Sequence, residues 1–354
     1  MSAAAVLAGE ARSHVALARC EDFAASLPDG SVNLLWLDPP YSRVVDEAWD
    51  RAWKTEADFL LWLRVAVVRE AARVLAPNGS LYLFASAQMG ARVECITAEA
   101  LRVLNSIVWA KSHAEYAPGD PRASALKVRD ASTARAWVAF SERVVFAERR
   151  TVATSAVGDA IRAARERAGL SANDLSRLIG RVSSTDATRG TGLVRLWETD
   201  APGSCVPAAA EFGRALRACG DDRPEAELLA EHARLLRPFA APGSLADVWS
   251  YAPPHADATR HPCEKPVDML RDVVLASSRP GDVVCEFFGG SFRMAEVALS
   301  HGRRYIGCDA DPHWAAVGVE RARAAERGTL AMVPSREAKP VDACQLSLFA
   351  AVGS

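Results

Sequence analysis

Two stretches of alternating strand-like and helix-like pattern, held apart by a long middle with helical pattern alone, constrain this chain more than any other feature. Residues 32–37 (VNLLWL) form an apolar run that ends at Asp-Pro-Pro, which predicts a buried strand followed by a loop. Residues 58–75 carry apolar side chains at helical spacing, Pro77-Asn78-Gly79 breaks that helix, and 80–85 reads as the next strand. Further strands are expected at 105–109 and 143–147. From about 157 to 236 there are helices and turns but no convincing strand. The alternation returns after Pro253-Pro254, with a helix at 267–277, a strand at 283–287, a glycine turn, a helix near 294–301, a strand at 304–308 and a helix from about 312 to 326. Such a rhythm predicts an α/β sheet with helices on its faces and an inserted helical region.

Length and charge narrow the class. The 354 residues suffice for one large domain carrying an insertion, and half of them are apolar. No apolar run is long enough to span a membrane, so no membrane partner is expected. The start, MSAAAVLAGEARSH, lacks a basic segment followed by an apolar one, so no secretion signal is expected. The eight cysteines include no CxxC pair, which argues against a zinc site or a disulfide framework and for a reduced cytoplasm. Net charge is only −2, yet residues 111–200 hold 15 Lys/Arg against 11 Asp/Glu. Contact with phosphates is expected to concentrate there.

Three segments carry chemistry. Asp38-Pro39-Pro40-Tyr41 closes the first buried strand. An aromatic amine is a poor nucleophile because its lone pair is delocalised. A carboxylate and a backbone carbonyl that both accept its N–H bonds would pull the nitrogen toward tetrahedral geometry, and a tyrosine offers a face on which an extruded base can stack. Glu286-Phe287-Phe288-Gly289-Gly290-Ser291 lies between a strand and a helix, where glycines let the backbone approach a ligand. About 20 residues on, Asp309 ends the next strand and could hold the ribose hydroxyls of a nucleoside cofactor. His261-Pro262-Cys263-Glu264-Lys265-Pro266 is, on physical grounds, a proline-bracketed helix entry with a cation beside it.

In this order the three segments resemble the amino-methyltransferases of DNA, in the permuted group with the catalytic loop first and the cofactor loop last. The flanks Ser26–Val32 and Arg303–Gly307 match as well, so the resemblance covers about 17–150 and 255–326. It implies an α/β, Rossmann-like methyltransferase sheet that uses S-adenosyl-L-methionine and no metal. The catalytic half would be 1–150, the cofactor-binding half 241–330. By position, Asp38, Pro39, Pro40 and Tyr41 would act on the base, and Lys265, Pro266, Glu286, Phe288, Gly290, Ser291 and Asp309 would hold the cofactor. Aspartate at 38 leans toward adenine over cytosine. A cytosine-N4 enzyme and a DNA-binding regulator that has lost turnover are the alternatives. Two departures bear on the latter. Phe292 stands where the family has the last glycine of its cofactor loop, where a side chain could crowd the cofactor. Ala18-Arg19 stands where it has Gly-Asp, with Asp22 a substitute carboxylate.

The middle region has its own resemblance. Residues 158–180 look like the first two helices of a repressor-type helix-turn-helix, with Ser171 capping the second, and 193–198 look like the end of its recognition helix. This implies a target-recognition insertion at 151–240 and double-stranded DNA as partner, with Arg181, Arg189 and Arg195 reaching phosphates or guanine edges. The segment from 331 to 354 is expected to be a disordered tail. Within it, Gln345-Leu346-Ser347-Leu348-Phe349 resembles the motif by which bacterial DNA-processing proteins dock on the polymerase sliding clamp.

Overall fold

The computed structural model describes residues 2–41, 52–111, 140–150, 155–186, 188–199, 205–240, 246–254, 261 and 263–328. The pentapeptide at 345–349 and the rest of the tail lie outside them.

Among the described residues eight strands form one sheet: β1 (Ser13–Leu17), β2 (Val32–Leu37), β3 (Leu75–Ser86), β4 (Leu101–Ala110), β5 (Ser141–Arg149), β6 (Val248–Ser250), β7 (Val283–Glu286) and β8 (Arg304–Asp309). Their spatial order is β1-β8-β7-β2-β3-β5-β4-β6. The run from β1 to β3 is parallel, while β5 is antiparallel to both β3 and β4. The two ends of the sequence meet in the middle of the sheet, where Leu34 pairs with Val284 and Leu35 with Cys285. From that seam the chain runs outward in opposite directions, from β7 to β8 and from β2 to β3. This is the switch point at which open α/β sheets form a ligand crevice beyond the carboxyl ends of their strands.

Alternation along the strands sends side chains to two separate cores. Leu35, Leu37, Leu81, Leu83, Val145 and Cys285 face one of them, Leu34, Trp36, Tyr82, Phe84, Val144 and Val284 the other. The first core is covered by the helix Cys20–Ser26 and by a long helix running through Glu56–Trp62, a π-helical stretch Leu63–Val68 and Arg69–Val74. The second is covered by Val267–Ser277 and Arg293–Ser300, which bury Met269, Leu270, Val273, Met294 and Val297. Among the described residues no helix is long and apolar enough to cross a membrane.

Local expectations and structure differ in several places, among them the helices Cys20–Ser26 and Gly90–Ala100, which were not expected. Pairing of β3 begins at Leu75, directly after the helix, so Pro77-Asn78-Gly79 is an irregularity inside the strand rather than a loop before it; the register shifts between Val32 and Leu34 opposite. The edge strands β1 and β6 stand where no strand was expected, and the helix Ala3–Ala8 precedes β1.

The middle region packs a third core of its own from Val157, Ile161, Leu175, Val194, Trp197, Phe212, Leu216 and Leu228. Its helices are Ala156–Arg167, Ala172–Leu178, Leu193–Glu198, Ala209–Ala218 and Glu225–Leu235. Ser171 and Asp174 form a capping box, and Gly169 turns the chain at φ +66°. Arg165 clamps the first helix to the third through a two-pronged bond to buried Glu198, at 2.7 and 2.8 Å. Between the second and third of these helices, Val182 and Gly190 form an antiparallel bridge.

Candidate active site

The catalytic loop and the cofactor loop project from adjacent strand ends, Asp38 one residue past β2 and Phe287 one past β7. Lys265 arrives from a third direction, just before the helix whose N-cap is Pro266. Its Nζ lies 2.6 Å from Asp38 Oδ2 and 3.2 Å from Glu142 Oε2. The Tyr41 hydroxyl lies 2.7 Å from Asp38 Oδ1 and 2.8 Å from Glu142 Oε2. Lys111 pairs with the other oxygen of Glu142 at 2.5 Å. The ammonium of Lys265 also faces the rings of Phe84, Trp109 and Tyr41, 4.8 to 5.6 Å from their centroids.

Burial and charge oppose one another at this cluster, and charge wins. Burial alone would lower Lys265, but Asp38 and Glu142 raise it above the ordinary lysine value, so it stays an ammonium. Burial alone would raise Glu142, but Lys265 and Lys111 hold its carboxyl below the ordinary range. Burial, together with both carboxylates, pushes the Tyr41 hydroxyl well above the usual tyrosine value, so Tyr41 is a donor and not a base.

On the cofactor side, Asp309 Oδ2 accepts from the Gly290 amide at 2.7 Å and Oδ1 from the Asp311 amide at 2.9 Å, which ties the end of β8 to the glycine loop. Gly290 has φ +47°, and a Cβ placed on it would sit 3.2 Å from the His261 ring. His261 packs edge-on against Trp314, and burial lowers its pKa, which favours a neutral ring. Phe288 leans on Trp62, whose indole donates to Glu21 at 2.8 Å. Ser291 is buried in the loop. Glu286 faces into the sheet: it is 4% exposed, and the Tyr305 hydroxyl donates to it at 2.6 Å. Burial pushes its carboxyl well above the ordinary range, against that bond, and Asp38 and Asp309 add to the rise.

Both departures from the family pattern have a structural answer. Phe292 takes the left-handed conformation that the family's glycine would take, with φ +54°. Its ring does not crowd the loop's open side. It is fully buried in the second core, wedged beside Gly289 and Gly318, where added Cβ atoms would come within 2.2 and 2.5 Å of it. Phe287 fills the first core on the opposite face. At the other departure, Asp22 is exposed; Glu21 is the carboxylate held in place, between Arg19 and Trp62. Burial would raise Glu21, but its bonds to Arg19, Trp62 and Cys20 bring it down to about 2.

Of the residues expected from sequence, Asp38, Tyr41 and Lys265 meet in one cluster and Gly290 and Asp309 in another. Glu142 and Lys111 join the first unanticipated, and His261, from the proline-bracketed segment before the helix at 267, packs beside Gly290 in the second. The only hint was parity: Glu142 shares a strand face with buried Val144 and Phe146. In the middle region Arg189 and Arg195 are exposed, whereas Arg181 is paired with Glu211.

Comparison with known proteins agrees with this layout. The curated "DNA adenine methyltransferase YhdJ" of Escherichia coli (strain K12) is 41% identical over 61 residues, 17% of this chain and 21% of that protein. "Type II methyltransferase M2.DpnII" of Streptococcus pneumoniae is 37% identical over 67 residues, 19% of this chain and 25% of that protein. The matches thus span about a quarter or less of these relatives' length. Among solved structures, the Thermus thermophilus protein TTHA0409 complexed with S-adenosyl-L-methionine is similar at 16% identity and TM-score 0.48, covering 89% of this chain and 95% of that one. The N6/N4 DNA methylase family matches residues 32–147 and 221–320, which takes in both loops and the strands that join them, so the chain belongs to that family.

Proposed function

We propose that this protein methylates the exocyclic amine of adenine in double-stranded DNA. The observation that carries this reading is the convergence of Asp38, Tyr41 and Lys265 with Gly290 and Asp309 at neighbouring strand ends. The cofactor of the family is S-adenosyl-L-methionine, which supplies an electrophilic methyl group when bound. The residues present fit it. Asp309 offers a carboxylate suited to ribose hydroxyls, at the end of β8 and hydrogen-bonded to the Gly290 amide of the glycine loop. Phe288 offers an aromatic face steadied by Trp62. Ser291 is buried in the same loop, Lys265 and Pro266 stand on the side of Asp38, and Glu286, bonded by Tyr305, lies behind the loop.

The chain's own groups act on the base. Asp38 accepts one N–H of the amine and the Pro39 carbonyl the other. The nitrogen lone pair is thereby localised toward the incoming methyl, and Pro40 stiffens the loop. Tyr41 stacks on the extruded base, and stacking together with the two hydrogen bonds offsets an extrusion cost of a few kcal/mol. Aspartate at 38 favours adenine, and the Escherichia coli relative bears an adenine methyltransferase's name. The helical region at 155–236 reads the sequence, with exposed Arg189 and Arg195 on the DNA. Gln345–Phe349 would hold the enzyme on a sliding clamp.

Expression in a bacterial host without DNA methylation, followed by sequencing that reads modified bases, tests this. N6-methyladenine at one recurring sequence is expected. N4-methylcytosine, or an unmodified genome, would overturn it.

A further inference from the structure

Asp38 already has both oxygens engaged, one by the Tyr41 hydroxyl and one by the Lys265 ammonium. An amine of the target base must compete with these two donors for the carboxylate. Both donors have a second acceptor within reach, and it is the same atom. Glu142 Oε2 lies 2.8 Å from the Tyr41 hydroxyl and 3.2 Å from Lys265 Nζ. The Tyr41 hydroxyl has one proton and can donate it to only one carboxylate at a time. Glu142 is itself fixed, 7% exposed, on β5 opposite Trp109 of β4 and Ser86 of β3, with Lys111 on its other oxygen. We propose that Glu142 is a positioning residue that takes over Tyr41 and Lys265 when the target amine docks, so that Asp38 is released to accept from the amine without leaving a buried ammonium unpaired.

The inference rests on the proposed methylation of an amine and adds a residue to that site. Its energetic basis is the cost of stranding charge. If Lys265 gave up Asp38 with no second carboxylate beside it, a buried cation would be left without a partner, which is strongly unfavourable. With Glu142 in place Lys265 gives up one of its two ion pairs and keeps the other. Tyr41 gains in the same step, because a hydroxyl turned toward Glu142 stays hydrogen-bonded while its ring serves the base.

The test couples Glu142 to the amine itself. Once sequencing has identified the methylated site, two duplexes are made, one with adenine at the target and one with purine, which lacks the exocyclic amine. Their affinities for the full-length protein are measured with S-adenosylhomocysteine present. The native protein is expected to prefer the adenine duplex about tenfold, and Glu142→Gln is expected to reduce that preference to less than twofold, because Asp38 stays occupied. In turnover, kcat should fall, and KM for DNA should rise by no more than the roughly five- to tenfold by which the adenine duplex is held less tightly. The alkaline limb of kcat should move to lower pH, since Lys265 loses one of its two counter-charges; a merely structural lesion would not move it. If Glu142→Gln unfolds the protein, Glu142→Asp keeps the charge, retracts the carboxylate, and should weaken the preference in the same way. An adenine preference that survives either folded variant would overturn the proposal. A host genome with no methylated site would instead overturn the methylation reading beneath it.

Discussion

The catalytic end of the sheet and the helical middle region spend their charges in opposite ways. At the sheet, Lys265 and Glu142 are almost fully buried and Asp38 is nearly so; Lys265 joins Asp38 to Glu142, and Lys111 holds the other side of Glu142. In the middle region Arg189 and Arg195 stand in solvent on a small helical unit held together by Trp197, Phe212 and Leu228. Buried, paired charges fix a geometry to fractions of an ångström and fail together when one is removed. Exposed charges act one at a time and answer to salt. Chemistry should therefore reside at the first region and recognition at the second, a division that substitutions in each can separate.

The largest effect is expected from Asp38→Ala. Turnover should fall about a thousandfold or more, the scale of losing a dedicated transition-state hydrogen-bond partner, while cofactor and DNA affinities stay within a few-fold. Radiolabelled methyl transfer alongside two binding titrations checks this, and near-native turnover would remove Asp38 from the chemistry. Phe292→Ala probes whether that ring belongs to the core or to the cofactor site. Truncating a buried phenylalanine costs about 3–5 kcal/mol. Because φ stays at +54° for alanine as for phenylalanine, strain gives little back. Tm should therefore drop clearly while the Kd for S-adenosylmethionine changes less than twofold. A cofactor Kd that tightens many-fold at unchanged Tm would mean the ring obstructs the cofactor.

On the recognition side, Arg189→Ala and Arg195→Ala should each weaken DNA binding several-fold at ~0.1 M salt. If the contact is to phosphate, each should reduce the slope of log affinity against log salt by about one. Turnover at saturating DNA should not change. Equal losses in kcat would erase the distinction between the two regions. The smallest effect is a pH dependence of stability. Glu142 has a folded pKa below its unfolded one, so its contribution is present above the ordinary glutamate range and is lost as pH falls through the folded value. Thermal melts of the native protein and of Glu142→Gln should therefore differ most near neutrality and converge below about pH 4.

How much of this was legible in the sequence depends on whether the signal was local. Strands β7 and β8 and the helix Val267–Ser277 could be read because unbroken apolar runs lie between turn residues. Strand β1, SHVAL, was not, because it sits at the sheet edge with only Ser13 fully buried, and β6 is three residues long. Asp38, Tyr41 and Lys265 belong to short motifs whose residues lie side by side along the chain. Glu142 stands 101 residues from Tyr41 and reaches it only because β5 returns antiparallel beside β3. No spacing along the chain carries that information. Phe292 shows the converse. As a bare departure from a glycine it looked like an obstruction, and the burial of its ring in the second core depends on Gly318, 26 positions on, leaving room for it.

Nucleoside analysis of DNA methylated by the purified protein bears straight on adenine as the target and Asp38 as the residue that acts on it. Duplex DNA is incubated with S-adenosylmethionine and either native protein or Asp38→Ala, digested to nucleosides and resolved by mass spectrometry. N6-methyldeoxyadenosine from the native protein, and none above background from Asp38→Ala, is the predicted result. Methylation confined to cytosine, or equal N6-methyldeoxyadenosine from both proteins, would contradict it.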